Sequence, residues 1–149
     1  MPTATTSFLA PAEAGRVAAL LHDLNFLAGA IPNVVKVEPL SETTAVWTVD
    51  IRLGPLKRKA IFRGELLTAT PERFQFRAVS SEATIEGTID LHPLGALQTE
   101  VSLSLTMSGM GPLRAVIDSY ISRRIREDTD GFASTLRDRL TNSPANVSV

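Results

Sequence analysis

The sequence predicts an α+β fold: a curved antiparallel sheet of about six to seven strands wrapped around a long C-terminal helix, with two short helices after the first strand. Three observations lead there. Apolar residues recur at helical spacing near the start, alternate from Asn33 to Gly109, and return to helical spacing after Pro112. The alternating stretch is cut by short turn-forming clusters, as hairpin connections are. Of the periodic segments, only the last is long enough to cover the sheet's dry face.

The elements follow in order. Thr3 to Leu9 reads as a strand. Pro11 is expected to open the first helix, where its missing N–H would have no partner anyway, with Glu13 near the positive helix end. Val17, Leu20, Leu21 and Leu24 recur at helical spacing; Leu24, Phe26, Leu27 and Ile31 form a second short helix that Pro32 ends. Val35 and Val37 start the alternation. It continues through Trp47, Val49, Ile51 and Leu53, then Ala60, Phe62, Gly64 and Leu66, with Ile61 and Leu67 as apolar exceptions on the polar face. Phe74, Phe76 and Ala78 follow, then Ala83, Ile85, Gly87, Ile89 and Leu91, then Leu97, Val101, Leu103, Leu105 and Met107. Turns are expected at 41–43, Gly54–Pro55, Pro71–Glu72, Ser80–Ser81 and 93–95. The opposite face mixes Arg and Lys with Asp and Glu, which predicts cross-strand ion pairs. Gly64 and Gly87 fall on the apolar face, where they mark bulges or leave volume for a cavity.

After Gly109-Met110-Gly111-Pro112, residues Leu113, Val116, Ile117, Tyr120, Ile121, Ile125, Phe132, Leu136 and Leu140 predict one amphipathic helix. At roughly 28 residues it would span ~42 Å, and Thr129-Asp130-Gly131 is where a kink is expected. One domain over 1–141 and a polar tail over 142–149 complete the organisation.

Composition removes several function classes. With 15 basic and 16 acidic side chains, the net charge of −1 lacks the basic excess of a nucleic-acid binder. The absence of Cys excludes disulfides, thiolate metal sites and a Cys nucleophile. The N-terminus lacks a secretory pattern and no stretch approaches the ~18 apolar residues of a membrane span, so a cytoplasmic protein is expected. The two histidines are His22, at a helix end, and His92, before Pro93; both read as surface or capping residues. The HxH, HExxH and GxSxG patterns are absent. No catalytic residue, metal or cofactor is therefore assigned. Lys57-Arg58-Lys59 with Arg63 reads as a solvated strand end or as a contact for anionic headgroups.

Several short motifs carry a family likeness. Phe8 is followed by Pro11-Ala12-Glu13; His22-Asp23-Leu24 leads to Leu27-Ala28 and Ile31-Pro32; the stretch from Val49 ends in Gly54-Pro55; and Gly109 to Pro112 leads into the last helix. In these features the chain resembles the START-like (SRPBCC) superfamily with its helix-grip fold, closest to carbon monoxide dehydrogenase G-subunit-like and polyketide cyclase-like proteins. The resemblance implies a deep apolar cavity for a lipid-like, polyketide-like or isoprenoid ligand. Relatives of the G-subunit type are linked with quinone handling and with membrane recruitment of a molybdenum hydroxylase. Those relatives often carry Ile-Pro-Gly where this chain has Ile31-Pro32-Asn33, and Asn also tolerates positive φ.

The candidate cavity wall is Phe26, Leu27, Trp47, Phe62, Leu66, Phe76, Ile89, Thr99, Leu103, Ile117, Tyr120, Ile121 and Arg124. Aromatics suit a flat apolar wall and equally an ordinary core. Tyr120 offers a hydroxyl to a ligand carbonyl, Arg124 pairs with an acidic ligand or snorkels to solvent, and Thr99 is a lone hydroxyl on an apolar strand face. The first expectation is non-catalytic binding of a hydrophobic small molecule (lipid, quinone or polyketide-like) for transfer or presentation. The alternatives are an accessory protein for a molybdenum hydroxylase-type enzyme, with transient membrane or redox-enzyme contact, and a cyclase or aromatase.

Overall fold

Chain order in the computed structural model, which describes residues 3–53 and 55–141, is β1 (Thr3–Ala10), α1 (Ala14–Leu21), α2 (Leu24–Ala30), β2 (Val34–Pro39), β3 (Thr44–Leu53), β4 (Leu56–Ala69), β5 (Arg73–Val79), β6 (Ala83–Gly95), β7 (Gln98–Gly109) and α3 (Arg114–Thr141). The seven strands form one antiparallel sheet in the order β1-β7-β6-β5-β4-β3-β2. The first strand thus closes on the last, and β2 begins at the opposite edge. The chain between them must cross the sheet, and the two short helices make that crossing: α1 packs against β6 and β7, α2 against β2 and β3. The predicted tail and Gly54 lie outside the described residues.

Several boundaries move from the sequence expectation. Pro11 and Ala12 form a bend, and α1 starts only at Ala14, with Glu13 at the N-cap making no side-chain cap bond. Pro93, Leu94 and Gly95 belong to β6 rather than to a turn; the reversal falls at Ala96–Leu97, where Leu97 is 79% exposed instead of buried. Proline is tolerated there because Pro93 stands in a stretch of β6 that has left the core: the residues from His92 onward are exposed. Leu113 and Val116 are exposed as well, because the buried stripe of α3 begins at Ile117. The helix runs without a break through Thr129–Gly131. Asn33 has a φ of 72°, so it supplies the left-handed turn into the sheet that glycine would otherwise make.

The core lies between α3 and the sheet. Trp47, Phe62, Phe74 and Phe76 enter from the strands; Phe132, Leu136 and Leu140 enter from α3; Leu21 and Leu27 enter from the short helices. Phe76 stands edge-on to Phe132 at 6.2 Å and tilted to Trp47 at 6.0 Å. The outer face carries the expected cross-strand pairs: Lys59 with Asp50 at 3.2 Å, Arg73 with Asp90 at 2.6 Å, and Arg77 with Glu86 at 3.6 Å, each directly opposite its partner in register. Two bonds fasten the ends of the grip. The Gly109 amide donates to Asp118 at 2.6 Å, and Arg126 donates to the Thr5 carbonyl of β1 at 3.0 Å.

Candidate functional site

Among the described residues, two concavities contain candidate wall residues. The first is an apolar crevice of about 70 Å³ between the N-terminal half of α3 and the strands. Its floor is Val49 and Ile51 of β3, Phe62 of β4, Ile85 of β6 and Met107 of β7. Its roof is Ile117, Tyr120, Ile121 and Asp128 of α3, and Ile31, Pro32 and Asn33 close one side. Two structural causes put the opening here. The left-handed Asn33 turns the chain away from α2 so that Pro32 lies against α3, where a Cβ on Gly131 would stand 3.2 Å from the proline ring. The start of α3 is held by Asp118 on the Gly109 amide, which fixes Ile117 and Ile121 over β7.

The second concavity is a groove of about 520 Å³ at the other end of β3 and β4, lined by His22, Asp23, Leu66, Ala69 and residues 41–44. It is larger but belongs to a turn. The Ser41 hydroxyl bonds Thr44 Oγ1 at 2.7 Å and accepts from the Thr43 and Thr44 amides, so these three residues are engaged in building the reversal. His22 is the C-cap of α1 and meets Phe74 edge-on at 5.3 Å.

The candidate wall residues separate into groups. Phe62, Ile117, Tyr120 and Ile121 line the crevice. Leu66 lines the turn groove. Leu27, Trp47, Phe76, Ile89 and Leu103 are fully buried in the core, and Phe26 is half-buried against it. The side chain of Leu24 lies outside the described residues. Thr99 is fully buried, and its hydroxyl donates to the Ala12 carbonyl at 2.8 Å, tying the bend before α1 to β7. Trp47 and Phe76 also account for the two glycines: an added Cβ would come within 2.5 Å of the Trp47 ring at Gly64, and at Gly87 it would overlap the Phe76 ring. The space that glycine opens on the sheet is filled by these aromatic rings.

Tyr120 and Asp128 line the crevice from α3; Arg124, predicted for its wall, stands between them on the helix but is not among the lining residues. Tyr120, Arg124 and Asp128 sit at successive turns of one helix face. The Arg124 guanidinium lies 5.6 Å from the Tyr120 ring centroid, and its Nη2 is 3.9 Å from Asp128 Oδ1. The Arg124 Nε is buried with no hydrogen-bond partner. Burial pushes the Asp128 carboxyl above the usual aspartate range, Arg124 pulls it back down, and the neighbouring Glu127 adds to the rise. Sequence reading named Tyr120 and Arg124 and did not name Asp128, which lines the crevice with Tyr120. The signal was present: continuing the same four-residue step one turn further lands on it. Trp47 Nε1 and Thr129 Oγ1 are two more buried polar atoms without a partner. Among the described residues no group of three or more His, Asp or Glu is placed to hold a metal, and no helix is long and apolar enough to cross a membrane.

Known proteins share this arrangement. A conserved protein from Geobacillus kaustophilus superposes with a TM-score of 0.76 at 16% identity, covering 95% of this chain and 97% of that one. A START superfamily protein from Mycobacterium smegmatis gives 0.72 at 14% identity, covering 93% and 96%. The Zhui aromatase/cyclase from Streptomyces sp. R1128 gives 0.60 at 15% identity, covering 96% and 98%. At such identities the likeness establishes the helix-grip fold of the START-like superfamily. No curated protein matches the chain in sequence. A family model does, over residues 1–137, and the chain accordingly belongs to the family described as polyketide cyclase/dehydrase and lipid transport.

Proposed function

We propose that this protein binds a hydrophobic small molecule, such as a lipid, quinone or polyketide-like compound, in the crevice under α3, for transfer or presentation rather than turnover. One observation carries the reading: between α3 and the sheet the opening is lined chiefly by isoleucine, valine, phenylalanine, alanine and methionine, with Asn33, Asp50, Thr84, Tyr120 and Asp128 as its polar members. Family membership and the START-like neighbours agree with a hydrophobic-ligand-binding fold. Neither histidine reaches the crevice.

Size bears on the cargo. Sites for drug-sized ligands run to about 300–1,000 Å³, and this crevice is about 70 Å³. It takes a short chain or the end of a long one; a whole lipid requires the Ile31–Asn33 corner to move off α3. That same small volume favours a second reading, in which the domain acts through its surface as an accessory protein for a molybdenum hydroxylase-type redox enzyme. Native mass spectrometry of the purified protein, followed by organic extraction, separates them. A stoichiometric apolar compound is expected for the first reading. A protein that is empty and binds none of a panel of quinones, fatty acids and polyketides overturns it in favour of the second.

A further inference from the structure

We propose that the crevice binds apolar carboxylic acids, with the ligand's carboxylate on Arg124 and with Asp128 as the acid that shares a proton with that head. The proposal rests on the hydrophobic-ligand reading above and adds the chemistry of the head group.

The starting point is one unsatisfied donor on a cation whose side chain is 39% exposed. Arg124 Nε is buried and makes no hydrogen bond, and its Nη2 meets Asp128 only at 3.9 Å, beyond hydrogen-bond distance. A buried donor without an acceptor is costly, and a bound acceptor relieves that cost. Arg124 is held in place by its stacking on Tyr120, which with Asp128 forms the polar edge of the apolar opening. A ligand that puts its chain among Ile117 and Ile121 brings its first polar atoms to this edge.

The sign of the head follows from the charges that face Asp128. On α3 these are Arg124 and, adjacent in sequence, Glu127; across the crevice stands Asp50 on β3, which is paired with Lys59 of β4 at 3.2 Å. Asp50 is therefore already compensated. Asp128 has a side chain only 15% exposed, and burial favours its neutral form. Each proton that Asp128 takes up leaves the guanidinium as the uncompensated charge of the edge, so protonation of Asp128 favours an anion over an amine. Guanidinium also matches a carboxylate with two parallel donors. A ligand carboxylate and the Asp128 carboxyl then face each other before one cation. Two such acids in one place hold a proton between them, which couples binding to proton uptake.

Chain length is bounded by the volume. About 70 Å³ holds on the order of five water-sized spheres at ~10–15 Å³ each, which fits the chain of hexanoate.

The test uses hexanoate and 1-hexanol as probes, followed through the methyl NMR signals of Ile117 and Ile121 between pH 6 and 8, where hexanoate is ionised. Hexanoate is expected to shift both signals and to bind roughly tenfold more tightly than hexanol. Its affinity should fall by up to about tenfold per pH unit above the Asp128 titration, the slope of one linked proton. Arg124→Gln should lower hexanoate affinity about tenfold and leave hexanol unchanged. Asp128→Asn should flatten the pH dependence of hexanoate binding. Hexanol binding as well as hexanoate, or a pH slope that survives Asp128→Asn, overturns the head-group assignment while the apolar-ligand reading stands. Failure of both probes to bind overturns the two together.

Discussion

Asp128 shows how a single buried carboxyl ties stability to pH. Its folded-state pKa is raised, chiefly by burial, so the folded protein holds this proton more tightly than the unfolded chain does. A group of that kind adds stability at low pH, and the contribution is lost as pH rises from the ordinary aspartate range through the higher folded value. At neutral pH, therefore, the charged Asp128 works against folding. Asp128→Asn removes the charge at nearly constant shape. It is expected to raise the Tm at pH 7 relative to the parent, with the gain shrinking toward pH 3. A Tm difference that is constant across that range would mean that burial of Asp128 is not what separates the two proteins. Thr99 acts at the same scale without charge. Its hydroxyl is fully buried and gives the Ala12 carbonyl a hydrogen bond at 2.8 Å. Thr99→Val keeps the shape and leaves that carbonyl unpaired, a loss of about 1–3 kcal/mol. Urea unfolding measures it: a midpoint that moves by less than the error would show that water replaces the bond. Tyr120 and Arg124 stand out in the sequence as polar residues on or beside the apolar side of a helical pattern. Asp128 does not, because in sequence it sits within Glu127-Asp128-Thr129-Asp130, where an acid reads as solvated. In the fold it lines the crevice together with Pro32 and Asn33.

Strands and helices were legible wherever period decides the answer. The alternation around Phe62, Phe76 and Ile89 placed each of these side chains on the buried face, and the isolated apolar exceptions Ile61 and Leu67 are indeed exposed. Leu67 sits where β4 changes register between Leu66 and Thr68, so the bulge explains the break in pattern. Element ends were less legible. Turn-forming residues such as Pro93 and Gly95 signal a reversal only if the strand has no reason to continue, and here β6 continues to Gly95 in a ribbon with β7. The glycines carried two meanings that the sequence could not separate, since an empty place and a place for a ring both require the absence of a side chain. Gly87 belongs to the second kind: an alanine methyl there would collide with Phe76, a fully buried ring wedged between Trp47 and Phe132. Gly87→Ala is expected to cost about 1–3 kcal/mol by overpacking. Combining it with Phe76→Leu tests the cause. If the collision is responsible, the double variant loses less stability than the sum of the two single changes; strict additivity would place the cost in the backbone of β6 instead.

For the molecule as a whole, the same residues have to serve as core and as binding wall, and this is why cavity size was not legible. Apolar side chains on the inner face of a sheet look alike in sequence whether a helix seals them or leaves them open. In this chain α3 seals most of them: Phe132, Leu136 and Leu140 press the C-terminal half of the helix onto the core, while the N-terminal half, around Ile117 and Ile121, stands over the crevice. The buried apolar side chains nevertheless form one cluster from Ala4 to Leu140, so the sheet, the short helices and α3 should unfold in a single step. Trp47, the only tryptophan, reports on that cluster from its centre, and far-UV circular dichroism reports on the helices. The two melting curves are expected to coincide. A crevice ligand present at a hundred times its Kd should raise both midpoints together, by on the order of 5–10 °C, because ~2.7 kcal/mol of binding free energy is added to the folded state of a chain this size. Phe62 links the two readouts, since it lines the crevice and lies directly opposite Trp47 on the neighbouring strand. A ligand that shifts the helical signal but leaves the Trp47 transition in place would mean that the grip opens independently of the core, and cargo would then enter by local unfolding of the Ile31–Asn33 corner rather than by filling a crevice that stays closed.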